Sequence, residues 1–135
     1  MAITYKDAGV DRASDDPYTV AIAGELKIWV DASSALLDRA GEFVDRAQAE
    51  PSVETVAAAS VAVAEAKIAS TEAALLVASK LIELAGSSAT LAKHGLDRHW
   101  RNARTHTLHD PVRWKYAIIG NYALNGVNPP LHAWS

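Results

Sequence analysis

The sequence contains no cysteine, which excludes disulfide bonds and thiolate chemistry. It also lacks any uncharged apolar run near the roughly 20 residues that a membrane-spanning helix requires. The opening MAITYKDAGVDRASDD has neither the basic start nor the apolar centre of a signal peptide. These absences predict a cytoplasmic protein with no membrane partner.

Aromatic residues are scarce at 7%, although half of the 135 residues are hydrophobic and many of those are alanine. This composition favours closely packed helices over a sheet, and the length predicts one domain that can bury its own core. We therefore expect an all-α fold spanning 1–135. Within it we expect an irregular lead-in over 1–15, a helical bundle over 16–126 and an extended tail over 127–135.

Two long helices dominate the hydropathy pattern. Asp16 followed by Pro17 is typical of a helix start, and the residue before Pro51 is pushed out of the helical region, so the first helix should end there. Its apolar face is predicted to comprise Ile22, Leu26, Trp29, Ser33, Leu36, Ala40, Val44 and Ala47. Ser52 can cap the second helix, whose wide apolar arc and small residues predict the central helix of a bundle.

The pattern weakens at Gly86-Ser87-Ser88, and two interpretations remain open. The helix continues and the glycine allows a close helix crossing, which we favour, or the backbone opens for a ligand beside the two hydroxyls. Further on, Gly95 predicts a stop and Asp97 a cap for a short helix. Residues 105–110 are expected to form a loop, and Asp110-Pro111 to start and cap a last helix. That helix should bury Trp114, Ile118 and Tyr122 and end at Asn125-Gly126.

Charge is unevenly distributed along the chain. Residues 93–115 carry six Lys/Arg against two Asp, a net +4, whereas residues 1–92 have a net charge of −7. Four of the five histidines lie in or beside the same stretch: His94, His99, His106 and His109. A basic segment on an acidic body predicts a specific anionic ligand or an acidic protein surface.

The identity of that anion stays open on these grounds. A metal site is disfavoured because the nearby carboxylates, Asp97 and Asp110, are better explained as helix caps, and arginines would repel a cation. The overall net charge of −3 argues against nucleic acid. A phosphate-bearing cofactor held by arginine, histidine and hydroxyl groups fits best, because anion binding needs donors rather than a reactive side chain.

The run RHWRNARTHTLHDPVRWKYAIIGNYALNG resembles the C-terminal end of flavin-dependent monooxygenases with the acyl-CoA dehydrogenase fold, the group that includes dibenzothiophene-desulfurisation enzymes. ELAGSSAT and the helix that starts at Asp16-Pro17 occur in the matching order. The resemblance implies a C-terminal four-helix bundle, a homo-oligomer, and reduced FMN or FAD delivered by a separate flavin reductase. The catalytic glutamate that true acyl-CoA dehydrogenases place near this end is absent, which favours monooxygenase chemistry.

The resemblance also implies site residues. Ser87 and Ser88 match positions that contact the flavin, often across a subunit interface. His109 matches the histidine of the HDP motif beside the flavin, as a cofactor-binding and catalytic residue, and Arg104 corresponds to a flavin-phosphate or structural arginine.

Against the family pattern, we expect these 135 residues to lack counterparts of the N-terminal helical domain, the β-domain and the first helix of the bundle. We therefore expect an incomplete bundle that supplies part of a flavin site and requires the missing domains of the same enzyme or another copy. The alternative is a non-catalytic helical interaction module that docks on an acidic partner.

Overall fold

The computed structural model describes residues 16–131, and within that range it consists of helices and connecting turns without a strand. The helices are α1 (Pro17–Ala49), α2 (Val53–Ala85), a 3-10 turn (Ser87–Thr90), α3 (Asp97–His109) and α4 (Val112–Asn125). The all-α prediction is confirmed. The predicted lead-in over 1–15 and the last four residues of the tail lie outside the described range.

The ends of α1 and α2 follow their sequence signals. The Asp16 carboxylate accepts hydrogen bonds from the backbone N–H and the hydroxyl of Thr19 at 2.8 and 2.9 Å. At the start of α2, the Ser52 hydroxyl accepts from the Thr55 N–H at 3.1 Å, and the Thr55 hydroxyl accepts from the Ser52 N–H at 2.9 Å. At both starts, a side-chain oxygen accepts from a backbone N–H that the first turn leaves without a helical partner, and at Ser52 and Thr55 the bonds are reciprocal.

The central position predicted for α2 is confirmed, because α2 packs against α1, α3 and α4, whereas α1 packs chiefly on α2. The α1–α2 contact is built from small residues, which let two helix backbones approach closely. Its buried cluster comprises Ala40, Ala62 and Ala66, flanked by Leu36 and Phe43. Two polar contacts cross between the same helices: Arg39 with Glu65, and the Tyr18 hydroxyl with the Glu83 carboxylate.

The buried faces expected for α1 and α4 are each wrong at one tryptophan. Of the face expected on α1, Ile22 and Ala40 are buried, but Trp29 is 43% exposed. Trp114, expected in the core, is 63% exposed, and the buried residues of α4 are Val112 and Lys115. Lys115 faces inward, with its Nζ 3.7 Å from Asp110 Oδ2. The neighbouring Trp114 faces outward, with the Arg113 guanidinium 5.4 Å from its ring centre.

The predictions for the segment between the long helices and α4 also need correction. α2 ends at Gly86, where φ is +79°, and a Cβ added to this glycine would meet nothing within 4 Å, so a close helix crossing is wrong. The loop expected over 105–110 is wrong as well, since α3 continues to His109. Its threonine hydroxyls do not compete with the helix, because Thr105 and Thr107 donate to carbonyls of the preceding turn at 2.8 Å.

Candidate functional site

The corner between α3 and α4 brings three predicted residues together. His109 is the last residue of α3, Asp110 is extended with φ −132° and ψ 96°, and α4 begins directly after Pro111. The proline fixes the start of α4 as predicted, but no side chain caps this helix, so the interpretation of Asp110 as a helix cap is wrong. Its carboxylate makes tertiary contacts instead.

Asp110 lies between two lysines from different helices. Lys67 Nζ, from the middle of α2, donates to Asp110 Oδ2 at 2.5 Å, and Lys115 Nζ, from α4, lies 3.7 Å from the same oxygen. The hydrogen bond from Lys67 holds the pKa of Asp110 below its usual value, with Lys115 adding to the effect, although partial burial opposes it. One carboxylate thereby joins α2, α4 and the end of α3.

A cleft of about 510 Å³ opens beside this corner, between α4 and the chain that follows it. Its walls are mostly apolar, and its polar lining residues are one histidine, one aspartate and two asparagines. It is lined by His109, Asp110, Pro111, Trp114, Ala117, Ile118, Asn121, Val127, Asn128, Pro129 and Pro130. Such a cleft is within the size range of small-molecule sites, and its amides and imidazole can donate hydrogen bonds to a planar polar ligand.

Ser87 and Ser88 lie elsewhere on the molecule. Both are exposed on the 3-10 turn after α2, where their carbonyls accept hydrogen bonds from the Thr90 hydroxyl and the Leu91 N–H. The corner is anchored at Lys67, and α2 rises about 27 Å from there to Ala85 at about 1.5 Å per residue. The two serines therefore do not share the cleft with His109 within one chain.

Arg104 is exposed on α3, as are Arg98 and Arg101, and none of the three lines the cleft. Arg101 lies 3.8 Å from Asp97 in an exposed pair one helical turn apart. The arginines thus form an outward basic face, separate from the pocket that His109 lines.

Sequence patterns alone do not identify Lys67 and Lys115 as residues of the corner. Lys67 occurs on the apolar side of α2, away from the polar band of Glu65 and Glu72. A lone charge in an apolar arc is the signal of a partly buried ion pair. Its partner, 43 residues away, is not encoded in any local pattern.

A model of the family described as "Acyl-CoA dehydrogenase, C-terminal domain" matches residues 3–114. The chain belongs to this family. The helical fold described above is therefore that of an acyl-CoA dehydrogenase C-terminal domain, and the sequence resemblance is confirmed.

Individual relatives narrow the comparison. The dibenzothiophene monooxygenase of Mycolicibacterium goodii is 43% identical over 129 residues, covering 93% of this chain and 31% of the relative. The methanesulfinate monooxygenase of Pseudomonas fluorescens matches with a TM-score of 0.86 and 32% identity, over 97% of this chain and 38% of that one. The FMN-bound TdsC of Paenibacillus sp. A11-2, a dibenzothiophene monooxygenase, has a TM-score of 0.84 and 37% identity, over 95% and 33%.

The chain thus spans about a third of the length of these relatives. It corresponds to the C-terminal domain of flavin monooxygenases with the acyl-CoA dehydrogenase fold. Between residues 16 and 131, no three His, Asp or Glu side chains gather in a way that could hold a metal ion. In the same range no helix has the length and apolar character to span a membrane.

Proposed function

We propose that this chain supplies one wall of the FMN site in a flavin-dependent monooxygenase, with His109 facing the flavin. The observation that carries the proposal is the position of His109 on an apolar cleft, at a corner fixed by Asp110. FMN is favoured over FAD because a solved relative of this fold is bound to FMN.

The residues of the cleft fit one face of a flavin. Trp114, Ile118 and Pro129 offer apolar surface for a flat ring system and exclude water from it, while Asn121 and Asn128 can donate to ring carbonyls. His109 would hold a hydrogen bond to the polar edge of the ring or to oxygen bound near it. When bound, reduced flavin delivered by a reductase would supply the electrons that activate dioxygen.

Ser87, Ser88 and Arg104 fit this proposal only through assembly. The serines lie about 27 Å along α2 from the corner, so they would contact the flavin associated with a second copy rather than their own. Arg104, on the outward basic face, is a candidate for the phosphate of such a flavin. A homo-oligomer is therefore part of the proposal.

Two apolar grooves beside the long helices support the need for more polypeptide. One groove, of about 580 Å³, is lined mainly by α1, α2 and α3 and includes Leu37, Val77 and Leu81. The other, of about 630 Å³, lies between α1, α2 and α4 and includes Trp29 and Tyr116. We propose that helices from the remaining two thirds of a relative-sized enzyme cover them.

The test is FMN binding with and without that remaining polypeptide. We expect the 135-residue chain alone to bind FMN weakly or not at all, measured by flavin fluorescence. Co-expression with the N-terminal and β-domains of a relative should restore tight binding. His109→Ala should then weaken FMN binding or abolish oxygenation, whereas the matched variant His106→Ala, on the same helix but away from the cleft, should not. Tight binding by the isolated chain would contradict an incomplete site.

The competing function is a helical interaction module, favoured by the exposed Arg98, Arg101 and Arg104 on α3. It predicts a colourless, stable assembly that is indifferent to flavin and binds an acidic protein surface. Size-exclusion mass measurement combined with a flavin absorbance scan separates the two functions.

A further inference from the structure

The ion pair that crosses from α2 to the α3–α4 corner ends one residue from His109. We propose that Lys67 and Asp110 are positioning residues, which hold the His109 imidazole in the cleft by fixing the backbone of this corner to α2. The role of the positioned His109 rests on the proposed flavin function, whereas the positioning of His109 by Lys67 and Asp110 does not.

The packing of α3 explains why such a device is needed. Thr107 is the one buried residue of α3, and His109, two positions later at the end of the helix, is exposed, so burial does not hold the histidine itself. His109 is followed directly by the extended Asp110, so any movement of that residue's backbone reorients the histidine. The Lys67–Asp110 hydrogen bond ties this point to the central helix across 43 positions of sequence.

Because Lys115 also contacts Asp110, loss of Lys67 and loss of Asp110 should have unequal effects. The Lys115 side chain is only 7% exposed, and its ammonium group lies 3.7 Å from the Asp110 oxygen that Lys67 also contacts. If Lys67 is lost, Lys115 remains as a second, longer partner within α4, but it cannot tie the corner to α2. If Asp110 is lost, both lysines lose the carboxylate. Asp110→Asn should therefore disturb His109 more than Lys67→Met does.

A direct test follows the His109 ring by NMR in the 135-residue chain without flavin. His109→Gln identifies its ring signals among the five histidines. In the unsubstituted chain, the ring should give one sharp set of signals with NOEs to other residues of the cleft. Lys67→Met should broaden those signals and remove the NOEs, and Lys67→Arg should retain them because it keeps a positively charged donor.

Lys80→Met is the matched control. Lys80 lies on the same helix, its side chain is 24% exposed like that of Lys67, and it pairs with Glu83 at 2.9 Å, but this partner is on α2 itself. The control should leave the His109 NOEs intact. Circular dichroism reports whether each variant folds; if Lys67→Met does not, Lys67→Gln replaces it in the same comparison.

Unchanged His109 NOEs in a folded Lys67 variant would overturn the positioning role. The flavin function is judged separately, by FMN binding of the reconstituted protein and its His109→Ala variant. Loss of NOEs in Lys67→Met with no effect of His109 on FMN would retain the positioning role and refute the flavin site.

Discussion

The His109 corner and the Ser87–Ser88 turn differ in how much of a site each one carries. The corner has a cleft and a partly buried ion network, and His109 lines the cleft and directly precedes Asp110 of that network. The turn has two exposed hydroxyls on a single 3-10 segment, held from beneath by an apolar cluster. The His109 corner therefore forms one wall of a pocket by itself, whereas the Ser87–Ser88 turn could contribute to a site only together with another polypeptide.

The largest effect is expected from the apolar support of the serine turn. Leu96 is 1% exposed and packs with Ala85 and Ala89. Leu96→Ala should cost about 3 kcal/mol, from lost burial and the cavity left behind. Urea unfolding measures the loss. The His109 ring signals should stay as they are, and their broadening would indicate that the two regions are coupled rather than independent.

The next effect tests the glycine that ends α2. Gly86 has φ +79° and ψ −179°, a conformation that is nearly restricted to glycine, although a Cβ there would meet no neighbour. Gly86→Ala should therefore destabilise the chain by about 2 kcal/mol through backbone strain alone. Gly24→Ala is the control, because Gly24 lies inside α1 with open space around it. It should stabilise the chain by about 0.5 to 1 kcal/mol. Equal effects of both substitutions would contradict the strain at Gly86.

A somewhat smaller effect is expected at the corner. Asp110→Asn keeps the shape of the side chain but removes the negative charge between Lys67 and Lys115. Breaking a fully buried pair costs about 3–5 kcal/mol, and since this carboxylate is 24% exposed, we expect about 1–2 kcal/mol. Chemical unfolding of Asp110→Asn beside Asp97→Asn, whose exposed pair should contribute almost nothing, provides the measurement. Similar losses in both variants would refute a special role for Asp110.

Local signals in the sequence predicted the extent of α1 and the start of α2, because caps, prolines and apolar periodicity act over a few residues. Asp16, Ser52 and Pro51 mark boundaries that the structure confirms. The predictions for Asp110 and Trp114 were wrong because contacts between distant parts of the chain decide where these two side chains lie. Asp110-Pro111 has the sequence of a cap, but its carboxylate pairs with a lysine 43 residues earlier, and Lys115 rather than Trp114 is the buried residue of α4 beside it. Only the tertiary fold decides these positions.

The resemblance of the HDP run to flavin monooxygenases identified the family, and residue spacing alone did not. His109 was singled out by that resemblance, and it lies on a cleft. Its supporting residues, Lys67 and Lys115, come from separate helices and leave no joint motif. The roles of His109, Ser87, Ser88 and Arg104 toward a flavin stay predictions.

The smallest and most specific expected effect is a loss of the Asp110 contribution to stability at acidic pH. Because Lys67 and Lys115 lower the pKa of Asp110 in the folded chain, the unfolded chain takes up its proton first as pH falls. The stabilisation is fully present above the unfolded value of 3.8, and it is lost as pH falls through the lower folded pKa. The difference in unfolding free energy between the unsubstituted chain and Asp110→Asn should therefore be constant near neutrality and shrink below that value. Urea titrations of both chains at stepped pH measure this difference, in which the contributions of the other carboxylates largely cancel. A difference that persists unchanged in strong acid would mean that the carboxylate charge does not hold the corner, and that the contrast with the serine turn lies in shape alone.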